Sequence, residues 1–198
     1  MPELKGKIAV LIEEHFDGTE YRRFNEFFPE HGYEVEYVSH LWGQPALHFG
    51  SNAENDKIEY HVTVTTEVND VTPGDYKGIL LIGAYATDRL RYEVKPQRPN
   101  QAPAVVFVRN AMHEQIPIGT ICHSLWLLCA DRALLKGRKV TCAHNIICDV
   151  ENAGAEIIFT EEGVAQDVVV DGNLISGQHP GVVDKFLDVF LTELEKRS

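Results

Sequence analysis

Two adjacent residues, Cys122 and His123, carry the clearest chemical signal in the sequence. They follow the apolar run 116–121, which predicts a short buried strand, and they precede an apolar helical face that ends near Gly137. A helix N-terminus and a neighbouring imidazolium both stabilise a thiolate, so we expect the pKa of the Cys122 thiol to lie well below the value of about 8.5 for a free cysteine. This arrangement predicts a reactive nucleophile; the alternative is an inert cysteine beside an apolar run.

Strands and helices that alternate along the chain must position this pair. The sequence predicts strands over residues 7–12, 34–40, 78–82, 116–121 and 139–143. It predicts helices over residues 19–31, 101–115, 124–136, 146–153 and 180–196. The near-continuous apolar runs of the central strands are typical of strands buried on both faces. The pattern therefore predicts an α/β fold with a mostly parallel sheet and helices on both faces, in a single domain over residues 1–198.

Two stretches interrupt the alternation. Residues 41–68 combine a polar segment, 50–57, with an alternating one, 60–64, and indicate a loop followed by a hairpin or edge strand. The pair Asp171-Gly172 predicts a tight hairpin between two apolar runs. No Walker A or dinucleotide-binding glycine pattern is present, so we expect no nucleotide cofactor.

Loops that follow the strands supply further candidate residues, because ligands of an open α/β sheet bind beyond the C-terminal ends of its strands. The loop after strand 7–12 contains Glu13, Glu14, Asp17 and Glu20. The loop after strand 78–82 contains Gly83, Tyr85, Asp88 and Arg89. Ordinary roles compete with catalysis here: Glu20, in the first turn of a helix, complements the helix dipole, and Asp88 is suited to a cap or to the surface.

Composition limits the partners. The 198 residues carry a formal net charge of −12, whereas nucleic acids and anionic membranes require clustered basic side chains, so we expect neither as a partner. No apolar run at the start of the chain is long enough for a signal or spanning helix, which predicts a cytoplasmic location. The cysteines form no Cys-x-x-Cys pair, which favours free thiols over a metal site, although Cys142, His144 and Cys148 lie close in sequence.

Five motifs are specific when they are taken together. They are Phe16-Asp17-Gly18-Thr19-Glu20, Gly83-Ala84-Tyr85-Ala86-Thr87-Asp88-Arg89-Leu90-Arg91, Ile121-Cys122-His123-Ser124, Gly137-Arg138-Lys139-Val140-Thr141 with Asn152-Ala153-Gly154, and Val169-Val170-Asp171-Gly172-Asn173. With them the whole chain resembles the DJ-1/PfpI superfamily, and most closely its PfpI intracellular-protease branch. The resemblance implies a flavodoxin-like three-layer sandwich and a homodimer or higher homo-oligomer.

The resemblance also implies roles for four residues. Cys122 would be the nucleophilic or redox-active residue, and Glu20 would hydrogen-bond its sulfur. His123 would take and return the proton, and Asp88, contributed by a neighbouring subunit, would orient that histidine. The PfpI branch typically has glutamate at the Asp88 position, so the shorter side chain departs from the pattern.

Three further positions depart from the family. Ala84 and Ser124 stand where the family commonly has glycine, which bears on the geometry of an oxyanion site. Ala143 stands where the DJ-1 branch has a histidine, with His144 one residue on, and this leaves His123 as the better partner for the cysteine.

The combined residues predict covalent catalysis. The Cys122 thiolate would attack an electrophilic carbon, and backbone N–H groups of Gly83 or Ala84 and of His123 would stabilise the developing oxyanion. The expected oxyanion and substrate-binding residues are Gly83, Ala84, Ser124 and His179. We therefore expect a PfpI-like cysteine hydrolase of a small amide, peptide or carbonyl substrate. The alternatives are a glyoxalase or deglycase of α-oxoaldehydes and their adducts, and a non-catalytic redox sensor or stress chaperone that uses oxidation of the cysteine.

Overall fold

A computed structural model describes residues 4–53 and 57–197. Residues 1–3, 54–56 and 198 belong to the predicted domain 1–198, and 54–56 also to the predicted loop, but they lie outside the described residues. The strands are β1 (Gly6–Leu11), β2 (Tyr33–Ser39), β3 (Leu47–Gly50), β4 (His61–Val64), β5 (Thr66–Glu67), β6 (Gly78–Leu81), β7 (Ile118–Ile121), β8 (Lys139–Val140), β9 (Glu156–Ile157), β10 (Val168–Asp171) and β11 (Leu174–Gly177). The α-helices are α1 (Gly18–Glu30), α2 (Ala86–Leu90), α3 (Pro103–His113), α4 (Trp126–Cys129), α5 (Arg132–Leu135), α6 (Ile147–Asn152) and α7 (Val183–Glu195).

The main sheet has seven strands in the order β10-β11-β7-β6-β1-β2-β5. Every neighbouring pair is parallel except β10 with β11. The central order β2-β1-β6-β7-β11 is the doubly wound order of flavodoxin-like folds. All residues of β6 and β7 are buried, as their continuous apolar sequence predicts for strands covered on both faces. The predicted fold class is therefore confirmed.

Two helical layers cover this sheet. Helix α7 lies close over β7 because Gly119 leaves room for it: a Cβ at that position would stand 2.8 Å from the ring of Phe186. Helix α1 packs beside α7 through Phe28 and Phe190, whose ring centroids are 6.1 Å apart. Helix α3 contacts β7, α2 and α4, and this group forms the other layer.

The predicted strand 139–143 and helix 124–136 are wrong in extent. Strand β8 ends at Val140 and pairs with β9 in a separate two-stranded sheet, because the next backbone N–H, that of Thr141, donates to the Ser176 hydroxyl instead of to a strand. The predicted helix is split into α4 and α5 at Asp131, whose carboxylate accepts the Ala133 N–H and pairs with Arg109 at 2.8 Å.

The hairpin predicted at Asp171-Gly172 is present, and of the hairpin or edge strand predicted within 41–68 the structure has the hairpin. Strands β3 and β4 pair antiparallel within the predicted segment 41–68. Strands β10 and β11 pair antiparallel around Asp171-Gly172, where Gly172 has the positive φ of 60° that this tight turn requires.

Candidate active site

Cys122 lies at a sharp turn after β7, at the C-terminal edge of the sheet. Cys122 has a φ of 59°, in the left-handed region, and it is 6% exposed. The Cys122 N–H still donates to the Gly177 carbonyl of β11 at 3.0 Å, so the sheet holds the backbone up to the nucleophile. The buried Ser124 hydroxyl accepts the Ile121 N–H at 2.7 Å, so this hydrogen bond spans the turn that contains Cys122. The Ser124 hydroxyl therefore supports the turn, and its role in substrate binding stays a prediction.

The sulfur of Cys122 lies 3.2 Å from Nδ1 of His123. Burial raises the pKa of the thiol to about 12, and the neighbouring Glu20 carboxyl acts in the same direction. The backbone N–H groups of Ala84 and His123 donate toward the sulfur and oppose this shift. The expected low thiol pKa is wrong because α4 begins only at Trp126 and is short, whereas the burial of the sulfur is nearly complete.

Glu20 is fully buried at the start of α1, where Asp17 caps the helix by accepting the Glu20 N–H at 2.9 Å. Its Oε2 accepts the Gly83 N–H at 2.6 Å, and its Oε1 has no hydrogen-bond partner among the described residues. Burial, with the charge of Asp17, raises the pKa of the Glu20 carboxyl well above its ordinary value. Glu20 therefore favours its neutral form and borders Gly83 together with Cys122, but no hydrogen bond joins its carboxyl to the Cys122 sulfur among the described residues, so the predicted bond is not observed.

Gly83 and Ala84, both predicted to donate an N–H group to a substrate oxygen, differ in what their N–H groups contact. The Gly83 N–H is occupied by Glu20, so Gly83 is not an oxyanion donor. The Ala84 N–H points to the sulfur. Ala84 has a positive φ of 56°, a backbone conformation that favours the glycine the family commonly has here. An isolated β-bridge to Phe16 holds the Ala84 backbone in this conformation. The backbone N–H groups that face the Cys122 sulfur are those of Ala84 and His123.

His123 lies beside two aromatic side chains that also contact each other. Its ring is 6.0 Å from that of Tyr85 and nearly parallel to it, and it is 5.2 Å from that of Trp126. Nε2 of His123 lies 2.9 Å from Oδ1 of Asn145. Burial lowers the pKa of His123, and the nearby His179 adds to this lowering, while Asn145 acts in the opposite direction. A neutral imidazole beside a protonated thiol is the resting state that these shifts favour.

Asp88 and His179 lie at the edge of the site. Asp88, in α2, is exposed and pairs with Arg91 at 2.8 Å. Within one chain the structure does not bring Asp88 to His123. His179 is also exposed, and its Nδ1 accepts the Gly181 N–H at 3.0 Å, so one of its ring nitrogens is occupied at a helix cap.

Asn145 is the functional candidate that the sequence did not identify. The sequence drew attention to the segment after β8 for two other reasons: the DJ-1 branch has a histidine at the Ala143 position, and Cys142, His144 and Cys148 lie close together. The side chain that reaches His123 comes from two residues further on. No spacing rule identifies it, since the contact joins residues 22 apart through a loop.

Within the part of the chain that the structure describes, no group of three or more His, Cys, Asp or Glu side chains could hold a metal ion, so Cys142, His144 and Cys148 form no such site. The same residues include no helix that is long and apolar enough to cross a membrane.

Comparison with known proteins gives consistent matches. A sequence profile of the DJ-1/PfpI family matches residues 6–193. Protein/nucleic acid deglycase 2 of Escherichia coli is 32% identical over 164 residues, which are 83% of this chain and 86% of that protein. Deglycase PfpI of Pyrococcus furiosus is 31% identical over 189 residues, 96% of this chain and 99% of that protein. A crystal structure of a two-domain protein from Anabaena variabilis, with DJ-1/ThiJ/PfpI-like and ferritin-like domains, superposes with a TM-score of 0.81 at 24% identity; it covers 96% of this chain, which spans 48% of that protein.

Proposed function

Because this chain belongs to the DJ-1/PfpI family, we propose that it is a cysteine-dependent enzyme of reactive carbonyl compounds, a deglycase or glyoxalase that acts on α-oxoaldehydes and their amine adducts. The observation that carries this proposal is the 3.2 Å contact between the Cys122 sulfur and His123 Nδ1, beside two backbone N–H donors. Two relatives named as deglycases support the same choice.

The first step is the addition of Cys122 to the aldehyde carbon. The S–H proton passes to Nδ1 of His123 as the carbon–sulfur bond forms, so no free thiolate has to accumulate in the buried site. Negative charge develops on the aldehyde oxygen, and the N–H groups of Ala84 and His123 stabilise it. The proton on His123 then neutralises that oxygen to give a thiohemiacetal.

The second step moves a proton between the two carbons of the bound α-oxoaldehyde. Glu20, whose Oε1 is unpaired, gives its proton to the ketone oxygen and takes the C–H proton of the thiohemiacetal carbon, which gives an enediol. Glu20 then passes that proton to the former ketone carbon, while His123 takes the hydroxyl proton of the carbon that bears sulfur, and the product is a thioester of a 2-hydroxy acid. Water cleaves the thioester: the Glu20 carboxylate takes a proton from the water and His123 returns its proton to the sulfur, so the 2-hydroxy acid leaves, the thiol is restored and the net change is the addition of one water.

The burial of Cys122 favours a small carbonyl compound over the amide or peptide that the sequence also suggested. The residue is 6% exposed and lies below the aromatic side chains around His123. A peptide backbone would have to enter the turn itself to reach the sulfur, whereas an α-oxoaldehyde is small and strongly electrophilic. We therefore place general amide or peptide hydrolysis second.

The test is product formation from methylglyoxal, from methylglyoxal-treated amino acids and from a panel of amides and peptides. Wild type and Cys148→Ser, which alters an exposed cysteine outside the site, should form lactate, whereas Cys122→Ser should fall to background. Lactate formation at the wild-type rate by Cys122→Ser would overturn the proposal. Turnover of peptides but not of methylglyoxal would select the hydrolase instead.

A redox sensor is the candidate of a different class, and the unpaired Oε1 of Glu20 favours it. Two equivalents of peroxide convert a thiol to a sulfinic acid and two water molecules, and a neutral carboxyl beside it donates a hydrogen bond to the sulfinate. The discriminating result is stoichiometric oxidation of Cys122 by peroxide together with no turnover of any substrate in the panel.

A further inference from the structure

His123 has one hydrogen-bond partner on each ring nitrogen: the Cys122 sulfur at Nδ1 and the Asn145 amide oxygen at Nε2. We propose that Asn145 is a positioning residue that accepts the Nε2–H of His123 and thereby leaves Nδ1 free to take the Cys122 proton. This inference rests on the proposed role of His123 as the base of the site. It replaces the orienting acid that the family resemblance places at Asp88.

The tautomer follows from which groups must donate. A neutral imidazole carries one N–H, and a thiol beside it has one hydrogen to give. With the hydrogen on Nε2, that nitrogen donates to Oδ1 of Asn145 while the Cys122 thiol donates to Nδ1, so both contacts are hydrogen bonds. With the hydrogen on Nδ1, the ring and the thiol compete to donate across 3.2 Å, and the amide must turn its NH2 toward Nε2.

Backbone hydrogen bonds fix Asn145 relative to the nucleophile. The Ala143 N–H donates to the carbonyl of Cys122 at 3.0 Å, and the Ile146 N–H donates to the Ala143 carbonyl at 3.1 Å. These bonds hold the turn that contains Asn145 against the residue whose side chain it serves. A shift of the Cys122 turn would therefore carry Asn145 with it and preserve the line of sulfur, imidazole and amide.

The aromatic neighbours constrain the ring plane but not its protonation. Tyr85 lies nearly parallel to His123, at 14°, and Trp126 is tilted by 36°. These stacking contacts restrict tilting of the imidazole and are indifferent to which nitrogen carries the hydrogen. Only the polar contact at Nε2 distinguishes the two tautomers from that side.

With Asn145 in this role, the nucleophile Cys122, the base His123 and its positioning residue all belong to one chain. An Asp88 carboxylate from a neighbouring subunit would need the same Nε2–H that Asn145 accepts, and would have to displace the amide. In its own chain Asp88 pairs with Arg91, whose guanidinium lies 5.5 Å over the Trp126 ring. Asp88 thus positions the Arg91 guanidinium over Trp126, one of the two aromatic side chains beside His123.

The test reads the tautomer directly. Nitrogen NMR of uniformly 15N-labelled protein distinguishes a protonated from an unprotonated ring nitrogen, and the His123→Gln variant identifies the signals of His123. Wild type should show hydrogen on Nε2. Asn145→Ala should give a mixture of tautomers, whereas Asn145→Asp, which keeps an acceptor, should keep the hydrogen on Nε2.

The rate of alkylation of Cys122 by iodoacetamide, followed by peptide mapping, gives the second readout. Asn145→Ala should slow it about fivefold, the effect of one neutral hydrogen bond, and Asn145→Asp should restore most of the rate. His144→Ala, at the adjacent exposed position, and Asp88→Asn should leave the tautomer unchanged. Hydrogen on Nδ1 in the wild type, or an unchanged tautomer in Asn145→Ala, or a change in Asp88→Asn, overturns the inference. Neither readout needs turnover, so failure of the proposed carbonyl activity would be seen separately.

Discussion

The Gly83 N–H donates to Oε2 of Glu20 at 2.6 Å, across the gap between the loops after β6 and β1. The contact lies between two neighbouring parallel strands, where the direction of chain winding reverses and ligands of such sheets bind. It holds a buried acid beside Cys122, and it occupies one backbone N–H that would otherwise face a substrate oxygen.

Gly83→Ala should disrupt this relationship. A Cβ would stand 2.6 Å from Oε1 of Glu20 and 2.8 Å from the Cβ of Cys122, so both side chains must move. We expect a loss of about 1–3 kcal/mol in the free energy of unfolding, measured by urea denaturation, and slower alkylation of Cys122. Gly74→Ala is the control, because its Cβ would make only ordinary contacts, with Oε2 of Glu114 at 3.7 Å and Oγ1 of Thr72 at 4.0 Å. Equal stability of the two variants would contradict the close packing at Gly83.

The neutral state of Glu20 predicts a pH dependence of stability. As pH rises through the ordinary carboxyl pKa of 4.5, Glu20 ionises in the unfolded chain but stays protonated in the folded protein. The folded state then binds more protons, so the contribution of Glu20 to the free energy of unfolding falls by about 1.4 kcal/mol per pH unit until the raised pKa is reached. Glutamine cannot ionise, so Glu20→Gln should lack this fall.

Urea denaturation of both proteins at several pH values above 4.5 gives the measurement for Glu20. The free energy of unfolding of Glu20→Gln, relative to wild type, should increase as pH rises. A constant difference across this range would mean that Glu20 is ionised in the folded protein, and it would remove its role as an acid.

Ser124→Ala tests whether that serine supports the turn or binds substrate. Removing the hydroxyl leaves the buried Ile121 N–H without its acceptor, which should cost about 1–3 kcal/mol in the free energy of unfolding. Ser39→Ala is a matched control, since the buried Ser39 hydroxyl has no hydrogen-bond partner among the described residues and should cost less to remove. Unchanged stability of Ser124→Ala together with a raised KM would support the substrate-binding role.

The Cys122 thiol should be protonated at neutral pH, because burial raises its pKa. Thiolate absorbs near 240 nm, and the difference in absorbance between wild type and Cys122→Ser isolates this residue. We expect no titration step from Cys122 below about pH 8. A step in that range that disappears in Cys122→Ser would show a resting thiolate, as the sequence alone suggested.

Local patterns predicted most of the fold. The apolar runs that became β1, β6 and β7 and the Asp171-Gly172 turn are signals carried by neighbouring residues. The break between α4 and α5 was not predictable in this way. It depends on the pairing of Asp131 with Arg109 on another helix, which a local apolar pattern does not record.

In the site, too, contacts between neighbouring residues could be predicted and contacts between distant segments could not. Cys122 and His123 are adjacent, so their pairing could be predicted, and the motif that contains Glu20 indicated its place. The pKa of Cys122 depends on burial from several elements, and Asn145 reaches His123 through a loop held by the Ala143 N–H, so neither could be predicted from spacing.

Covalent catalysis by Cys122 is tested by mass spectrometry of the protein at successive times after mixing with methylglyoxal. We expect an adduct on Cys122 that forms at least as fast as lactate appears, disappears as the substrate is consumed, and is absent in Cys122→Ser. Lactate formation while Cys122 stays unmodified, or an adduct on Cys122 that accumulates with no lactate, would contradict covalent catalysis by this cysteine.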